Sequence, residues 1–463
     1  MTKEYFKKGI LLYFLGNVSS KLITLLLLPL FTYYLTQEEF GLFDVLNTIV
    51  MFFVPIVGVQ LFEGILRFLL DSNETNKHSK VITTSFYFLL INLVLLNLFF
   101  LAIVNFINIP HSTWLLLYFN FYFINFYLQR ISRGLQLQKV FAFSGIINTL
   151  VIAIVSALFL IQYDFKTDGL LAAYFFGSFS SSIYLIFSTK IHRYIRIVAF
   201  DKILLNQLLV YSIPLLFDAV LWWTMNLSDR LILGYFNGTG DVGIYSVANK
   251  FAALLTFLNH IFYLVWQEYA LINSSDSSRL EEFKKIFIQY VKIQFTGVLI
   301  LMPISKFAIE FLIDEKFISA YLFVPALMIG AMYSSLAAFY GIFYQRLKRT
   351  SGALYTSLIA ALLNVGANFL LIPSYGIWAA AGSTMAAFLL LWIIRMYIFR
   401  DSFNLGKSFL FKVLIAVILL TLSLSLYFND GIHWQIINLL FAVVLFLVIN
   451  KNFIQKLFTR TSN

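Results

Sequence analysis

The chain has no cysteine, only seven prolines and few charged residues among its 463 positions. The absence of cysteine excludes disulfide bonds, thiolate catalysis and metal sites built on cysteine. Charged residues make up 12% of the chain and hydrophobic residues 60%, whereas a soluble domain is about one quarter charged. A soluble protein of this length could not bury so much apolar surface. The composition therefore predicts an integral membrane protein.

Long apolar runs fill most of the sequence, and about fourteen of them approach or exceed the roughly 20 residues that cross a bilayer. They lie at about 9–35, 41–70, 81–107, 113–130, 141–162, 169–189, 208–235, 243–270, 286–313, 321–345, 352–373, 377–398, 409–428 and 434–451. Lipid offers no partners to backbone groups, so these runs must be helices or barrel strands. They are too continuous for barrel strands of about ten alternating residues. We expect an all-α integral membrane protein with about fourteen transmembrane helices.

Basic residues are concentrated on one side of the predicted helices. With the N-terminus in the cytoplasm, most of the 33 Lys and Arg residues fall in cytoplasmic segments, Arg130 and Arg395 among them. The outer loops hold only Lys166 and Lys316. This bias follows the positive-inside rule and predicts that both termini are cytoplasmic. It explains the net charge of +11 through anionic lipid, without nucleic acid.

The N-terminal run is not a cleavable signal peptide in this interpretation. Three lysines precede an apolar stretch from about Gly9 to Leu35. That stretch is too long for the apolar core of a signal peptide, and no small-residue cleavage site ends it. We therefore interpret it as the first spanning helix.

Three short phrases recur in the same order in both halves of the chain. The phrases at 39–43, 136–139 and 169–173 recur at 241–245, 345–348 and 376–380, with offsets of 202, 209 and 207 residues. A repeat of six helices predicts two parallel bundles related by an axis along the membrane normal. The predicted organisation is an N-terminal six-helix bundle at 1–190, a cytoplasmic linker at 191–207, a C-terminal six-helix bundle at 208–400, and two further helices with a tail at 401–463.

Ionisable residues inside spanning helices are costly in hydrocarbon and indicate function. Here they fall mainly in the first two helices of each half, and they form polar stripes that predict a hydrated cleft. A basic residue at mid-depth, such as Lys21, would contact an anion. The candidate cavity contacts are Lys21, Arg67, Arg230, Lys250, Asn17 and Asn226, and the candidate coupling residues are Asp218, Glu63 and Asp229. The histidines show no ligand spacing, so we predict neither a metal site nor a cofactor.

Several of these residues also have structural interpretations. Glu63 and Arg67 are four residues apart and could pair on one helical face. Arg230 and Lys250 could extend their charges to an interface while their alkyl stems stay in lipid. Asp218 could be a protonated structural carboxyl as readily as a proton-coupling group.

The mixture of groups in the predicted cleft suits an amphiphilic substrate. A lipid-linked sugar offers a diphosphate to the cations and hydroxyls to Asn, Gln, Tyr and Trp side chains, and its prenyl tail could stay in the bilayer. Composition alone leaves export of another amphiphile open.

Two longer segments resemble a known family. They are the hairpin Tyr34–Gly41 and the phrase from Tyr211-Ser212-Ile213-Pro214 through Asp229-Arg230 to Gly243-Ile244-Tyr245-Ser246. Both are similar to Wzx-type flippases of the multidrug/oligosaccharidyl-lipid/polysaccharide exporter superfamily. Many members have an arginine where this chain has Tyr34, so that outer anion contact is in doubt.

The resemblance implies alternating access and flipping of an undecaprenyl-diphosphate-linked oligosaccharide, such as an O-antigen repeat unit of lipopolysaccharide. It implies a multi-pass protein of the bacterial inner membrane that is not an enzyme. Its partners would be the lipid-linked oligosaccharide and membrane lipid, and it could contact a polysaccharide polymerase or glycosyltransferases.

Three other functions compete with this one. A drug or cation antiporter of the same superfamily would favour an acidic cavity, whereas the predicted cleft is mixed with a basic excess. A peptidoglycan-precursor flippase would use the same scaffold. A membrane-bound polymerase or ligase would need a substantial outer loop for its catalytic groups, and no predicted outer loop exceeds about ten residues.

Overall fold

The computed structural model describes residues 25–71, 74–106, 109–272, 280–346, 350–401, 403, 405–452 and 455. Within these ranges the regular elements are helices. They are α1 (Leu28–Tyr34), α2 (Gln37–Val57), α3 (Leu61–Leu70), α4 (Thr75–Val104), α5 (Ser112–Gly134), α6 (Gln138–Ile161), α7 (Lys166–Thr189), α8 (Lys202–Asn237), α9 (Thr239–Ile272), α10 (Leu280–Leu312), α11 (Val324–Arg346), α12 (Thr350–Ile398), α13 (Lys407–Phe428) and α14 (Ile432–Ile449), with 3-10 turns at Ile191–Arg193, Ile197–Ala199 and Glu315–Leu322.

These helices have the length and composition of membrane-spanning segments. In the described part of the chain, ten of them are long and apolar enough to cross a bilayer. The prediction of an all-α membrane protein is confirmed. The count of about fourteen spans and the cytoplasmic termini stay predictions.

Helix α2 begins at a capping box formed by Thr36 and by Glu39, the first residue of the repeated phrase at 39–43. The Thr36 hydroxyl accepts a hydrogen bond from the Glu39 amide at 3.2 Å, and the Glu39 carboxylate accepts one from the Thr36 amide at 2.9 Å. This reciprocal pair satisfies backbone donors that have no partner within the helix. The sequence of this hairpin therefore fixes the start of the helix that carries Asp44.

The predicted second span, at 41–70, is two helices rather than one. Pro55 cannot donate a backbone hydrogen bond, and the chain leaves the helix at Gly58. Val59 and Gln60 both adopt a φ of 48°, a left-handed conformation that is rare for residues other than glycine. Helix α3 starts immediately afterwards. Pro55 was the available signal for a bend, whereas the left-handed conformation of Val59 and Gln60 could not be read from the apolar run.

Helix α12 is interrupted at Gly376, which has a φ of 51° and a ψ of −129°. Asn364 donates to the hydroxyl of Thr384 at 3.1 Å. In a straight helix these residues would lie about 30 Å apart, so the chain must reverse direction between them. The prediction of two separate runs, at 352–373 and 377–398, agrees with this hairpin.

The chain divides into two compact units, Met1–Arg230 and Leu231–Asn463. In the first unit, α7 packs against α5 and α6, and α3 packs against α5. In the second unit, α11 packs against α9 and α12, and α14 packs against α10. The domain limits proposed from the repeat stay predictions.

The repeated phrases meet in a similar way within each unit. In the first unit, Thr167 donates to the Glu39 carbonyl at 3.1 Å, and Lys166 lies 3.1 Å from the Glu39 carboxylate. In the second, a Cβ on Gly376 would lie 3.2 Å from the Asn237 side chain and 3.6 Å from the Asp241 carboxylate. Each unit thus brings its first phrase to the start of its last repeated helix, which favours a true duplication.

Lys306 ties α13 to the rest of the second unit. Its ammonium is almost fully buried and donates to the carbonyls of Tyr427 at 2.7 Å and Asn429 at 3.3 Å. It also lies 4.7 Å from the ring centroid of Tyr321. A cation at the C-terminus of a helix satisfies carbonyls that lack intrahelical partners. Sequence reasoning did not identify this residue.

We expect Gly376→Ala to lower the free energy of unfolding by about 1–3 kcal/mol, because an alanine is strained in this backbone conformation. The matched control is Gly366→Ala in the same element. A Cβ at Gly366 meets no heavy atom within 4 Å, so this change should stabilise the helix by about 0.5–1 kcal/mol.

The measurement is the thermal unfolding midpoint of both variants in one detergent. The expected result is a lower midpoint for Gly376→Ala and an unchanged or higher midpoint for Gly366→Ala. Equal midpoints would show that the reversal at Gly376 does not require glycine.

Candidate functional site

A buried ion pair joins α2 to α8 in the first unit. Arg230 Nε lies 2.5 Å from Asp44 Oδ2, and the two side chains are 9% and 2% exposed. Arg230 also donates from Nη1 to the carbonyl of Asn226 at 2.8 Å. Either charge alone would be costly at this depth, whereas the pair is neutral. Arg230 therefore does not extend its charge to the membrane surface.

Polar and aromatic side chains extend this pair along α2. Asn47 lies one helical turn after Asp44. Its side-chain amide oxygen accepts a hydrogen bond from the Tyr118 hydroxyl at 2.7 Å. The rings of Tyr118 and Tyr174 are 5.5 Å apart, and Tyr174 packs edge-on against Phe43 at 5.1 Å. We call Asp44, Asn47, Tyr118, Tyr174 and Arg230 the ion-pair cluster.

Glu63 and Arg67, for which helical spacing allowed a pair, each pair with another residue. Glu63 Oε1 instead lies 2.9 Å from Nη2 of Arg130. Arg67 lies 3.4 Å from Asp71, the next residue at helical spacing, and both of these side chains are more than half exposed. Because α3 packs against α5, the side chain of Arg130 reaches Glu63 from the neighbouring helix.

Arg130 itself was expected in a cytoplasmic segment. It lies within α5, its side chain is 18% exposed, and its guanidinium carbon is 4.9 Å from the ring centroid of Phe126. The apolar run before Arg130 was judged to end at this residue, whereas the helix continues to Gly134. The helical spacing of Asn125, Gln129 and Arg130 was the available signal for a polar face.

Arg395 is a second basic residue that was counted with the cytoplasmic segments and is buried. It lies in α12 and is 3% exposed. Its guanidinium donates to the hydroxyls of Thr356 and Ser357, both at 3.1 Å, and to the carbonyl of Ala337 at 2.9 Å. These neutral acceptors hold three helical segments of the second unit together. A structural role therefore fits this arginine.

The other predicted residues are spread along the helices. Asn226 lies beside Arg230, but its side-chain amide donates to the Trp222 carbonyl at 2.9 Å. Asp229 is buried, and Asp218 and Lys250 are half-buried. Asn17 and Lys21 lie outside the described residues. The structure thus brings Asn226 and Arg230 together and adds Asp44, whereas Arg67 lies at an exposed helix end.

Carboxylates and histidines do not gather into a metal-binding group anywhere in the described ranges. The ion-pair cluster combines one guanidinium and one carboxylate with uncharged polar groups. A guanidinium binds carboxylate and phosphate oxygens with similar geometry, and the neighbouring hydroxyl and amide groups suit polar, uncharged atoms. The guanidinium of Arg230 is therefore a candidate anion-binding group.

Comparison with known proteins places this geometry in context. The sequence model of a family described as "Polysaccharide biosynthesis protein" matches residues 6–266. An uncharacterized membrane protein of Methanocaldococcus jannaschii is 23% identical over 311 residues, which cover 63% of this chain. The match spans 59% of that relative's own length.

Solved structures share the whole architecture. A structure titled as the lipid II flippase MurJ in an inward closed conformation has a TM-score of 0.70 at 16% identity, and the match covers 97% of this chain and 100% of that one. An inward-facing multidrug resistance MATE family transporter of the MOP superfamily has a TM-score of 0.63 at 12% identity, covering 85% of this chain and 94% of that one. At these identities the likeness shows the fold, which is that of MOP superfamily transporters.

A double-mutant cycle on the ion pair tests its energetic role. We expect Asp44→Asn and Arg230→Gln each to cost about 3–5 kcal/mol, because each leaves one buried charge opposite a neutral amide. The double variant should recover part of this cost, with a coupling energy of up to about 3 kcal/mol.

The matched control is the same cycle at Arg67 and Asp71, where both side chains are exposed. Its coupling energy should stay below about 1 kcal/mol. The measurement is unfolding free energy in detergent. Similar coupling energies in the two cycles would contradict a special role for burial.

Proposed function

Because this chain belongs to the polysaccharide biosynthesis protein family, we propose that it flips an undecaprenyl-diphosphate-linked oligosaccharide across the membrane by alternating access. The family and its structural neighbours are membrane transporters and flippases rather than enzymes. What we propose beyond the family is the identity of the lipid-linked substrate and the polar path that its head group takes through the protein.

The physical problem in such transport is the charged head group. A diphosphate with a chain of sugar hydroxyls cannot enter hydrocarbon without a polar path, because each unpaired charge there costs several kcal/mol or more. The prenyl tail needs no such path. A suitable protein must therefore offer cations and hydrogen-bonding groups inside its transmembrane region.

The observation that carries the proposal is the buried ion pair of Arg230 and Asp44. An arginine is well matched to phosphate, because its planar guanidinium can donate two parallel hydrogen bonds. Without substrate, Asp44 compensates the charge of Arg230. We propose that the diphosphate displaces this carboxylate and that Asn47 and Tyr118 then contact nearby polar atoms of the head group.

The proposal retains the other residues predicted from the sequence. Lys21, Lys250, Arg67, Asn17 and Asn226 are the further candidate contacts. The coupling candidates are Asp218, Glu63 and Asp229. Glu63 is paired with Arg130, so opening of this ion pair is the route by which that carboxylate would act in coupling. If Asp218 couples protons to transport, Asp218→Asn should abolish the dependence of flipping on a pH gradient, and unchanged dependence would exclude it.

Two other substrates are distinguished by experiment. A drug or cation antiporter would need accessible acidic groups, whereas the acids of the described clusters at Asp44 and Glu63 are paired with arginines. A peptidoglycan-precursor flippase would also carry a lipid diphosphate, so the ion pair does not distinguish it. The proposal also includes three finer points. The glycan is an O-antigen repeat unit of lipopolysaccharide, and the membrane is the bacterial inner membrane. The protein contacts a polysaccharide polymerase or glycosyltransferases.

The test is deletion of the chain in its host, followed by mass spectrometry of lipid-linked sugars and staining of surface glycan. We expect lipid-linked oligosaccharide to accumulate and surface glycan to fall by about tenfold or more, because flipping is the step before polymerisation. Accumulation of peptidoglycan precursor with normal glycan would assign the other substrate. Normal levels of both would contradict a flippase of either kind.

Complementation then separates folding from transport. Arg230→Ala and Lys21→Ala should fail to restore surface glycan, whereas Arg400→Ala, a change at an exposed arginine, should restore it. The Asp44→Asn/Arg230→Gln double variant keeps the site neutral, and it should export less glycan per protein molecule in the membrane than the Arg400→Ala control. Normal export by that variant would remove the proposed anion contact.

A further inference from the structure

Residues 190–201 connect α7 to α8, and we call this connection together with the first two residues of α8, Lys202 and Ile203, the strap; it is held against α4. The Ser79 and Thr83 hydroxyls donate to the Tyr194 carbonyl at 2.5 and 2.9 Å. The Thr83 hydroxyl accepts from the Arg196 amide at 3.1 Å. These hydroxyls replace the partners that the strap backbone would otherwise seek in water. The strap is therefore a positioned segment.

The acidic residue of the strap is held inward. The Asp201 amide donates to the Thr84 hydroxyl at 3.0 Å, and the Asp201 carboxylate accepts from the amides of Ile203 and Leu204 at 3.0 Å. Lys80 lies 3.3 Å from the same carboxylate. The hydrogen bond from the Leu204 amide, together with Lys80, holds the pKa of Asp201 below its ordinary value. Its charge is thus stabilised within the strap.

The opposite side of the strap combines exposed apolar and basic side chains. Val198 is 99% exposed, Ile203 76% and Phe200 44%. The exposed basic residues around them are Arg193, Arg196 and Lys202, with His192 and Lys190 at the start of the strap. Three large apolar side chains within six residues are costly in water. Something other than water must cover them.

We propose that the strap binds anionic phospholipid, with Val198, Phe200 and Ile203 inserted below the headgroups and Arg193, Arg196 and Lys202 on the phosphates. Both ends of the strap continue into membrane-spanning helices, so it lies near the level of the headgroups. Apolar side chains beside basic ones are typical of segments that lie in this interface. The basic residues select the anionic surface.

The consequence is a lipid-anchored connection between α7 and α8. Each basic residue near an anionic surface strengthens binding by about fivefold. The strap is thereby fixed on two sides, to α4 through hydrogen bonds and to the leaflet through its exposed side chains. This inference depends on the membrane-spanning fold and is independent of the transported substrate.

The chain has no cysteine, so a single nitroxide label can report on the strap. Val198→Cys is labelled in nanodiscs of anionic phosphatidylglycerol and in nanodiscs of neutral phosphatidylcholine. Collisions with oxygen report lipid immersion, and collisions with a soluble nickel chelate report water. The control is Glu74→Cys at the start of α4, where the native side chain is 66% exposed.

In anionic nanodiscs we expect the ratio of oxygen to nickel collisions at position 198 to exceed that at position 74 by at least about fivefold. The ratio at position 198 should fall in neutral lipid and in the Arg193→Gln/Arg196→Gln variant. It should also fall in 1 M salt, where charges are screened beyond about 3 Å. The salt series needs no substitution of the arginines and so does not depend on how that variant folds.

Two results would overturn the proposal. Equal ratios at positions 198 and 74 in anionic lipid would place the strap in water, as expected if a soluble protein partner covers it instead. The ratio of oxygen to nickel collisions at position 198 could instead be high but unchanged by lipid charge, by salt and by the two arginine substitutions. That result would show insertion of the apolar side chains and would exclude recognition of anionic headgroups.

Discussion

Hydrocarbon offers no partner to an ion, and this constraint governs every charged side chain inside the fold. The ion pair of Asp44 and Arg230 is its clearest expression, because two residues distant in sequence neutralise each other in nearly complete burial. Lys306 meets the same constraint with backbone carbonyls and with the Glu310 carboxylate, 3.9 Å away, and Arg395 meets it with hydroxyls and a carbonyl. Each of these sets of contacts also joins different helices. The contacts that compensate a buried charge therefore also stabilise helix packing.

The three solutions differ in what they permit. Lys306 donates to helix-end carbonyls, and the guanidinium of Arg395 is divided among acceptors on separate helical segments. Replacing either set of contacts would loosen the packing. The partner of Arg230 is a carboxylate, which an anionic ligand can imitate. The proposed binding role therefore falls on the ion-pair cluster, where the same charge also contributes to folding.

The overall class of fold follows from the sequence because it depends on local properties. Apolar length predicts helices, the Thr36 and Glu39 spacing predicts the start of α2, and the gap around Gly376 coincides with a reversal of the chain. Each signal concerns residues that are close in sequence. Physical chemistry acts on them in the same way whatever the rest of the chain does.

The site is less predictable, because its partners come from different helices. Helical spacing allowed a pair between Glu63 and Arg67. Because α3 packs against α5, Glu63 instead forms an ion pair with Arg130. Arg395 lies near the end of the predicted run at 377–398 and was counted with the cytoplasmic charges, and only the packed helices supply its acceptors. Arg230 was recognised as an intramembrane charge, and its partner Asp44 lies 186 residues earlier in the chain. Nothing in their spacing could show that they meet.

The central claim is that a lipid diphosphate and the Asp44 carboxylate compete for Arg230. The most direct measurement is binding of undecaprenyl diphosphate to the purified protein and its variants by native mass spectrometry. Removing the competitor with Asp44→Asn should tighten binding by about tenfold, a change of about 1.4 kcal/mol, and Arg230→Gln should weaken it. Weaker or unchanged binding by Asp44→Asn would contradict the exchange of partners at this site.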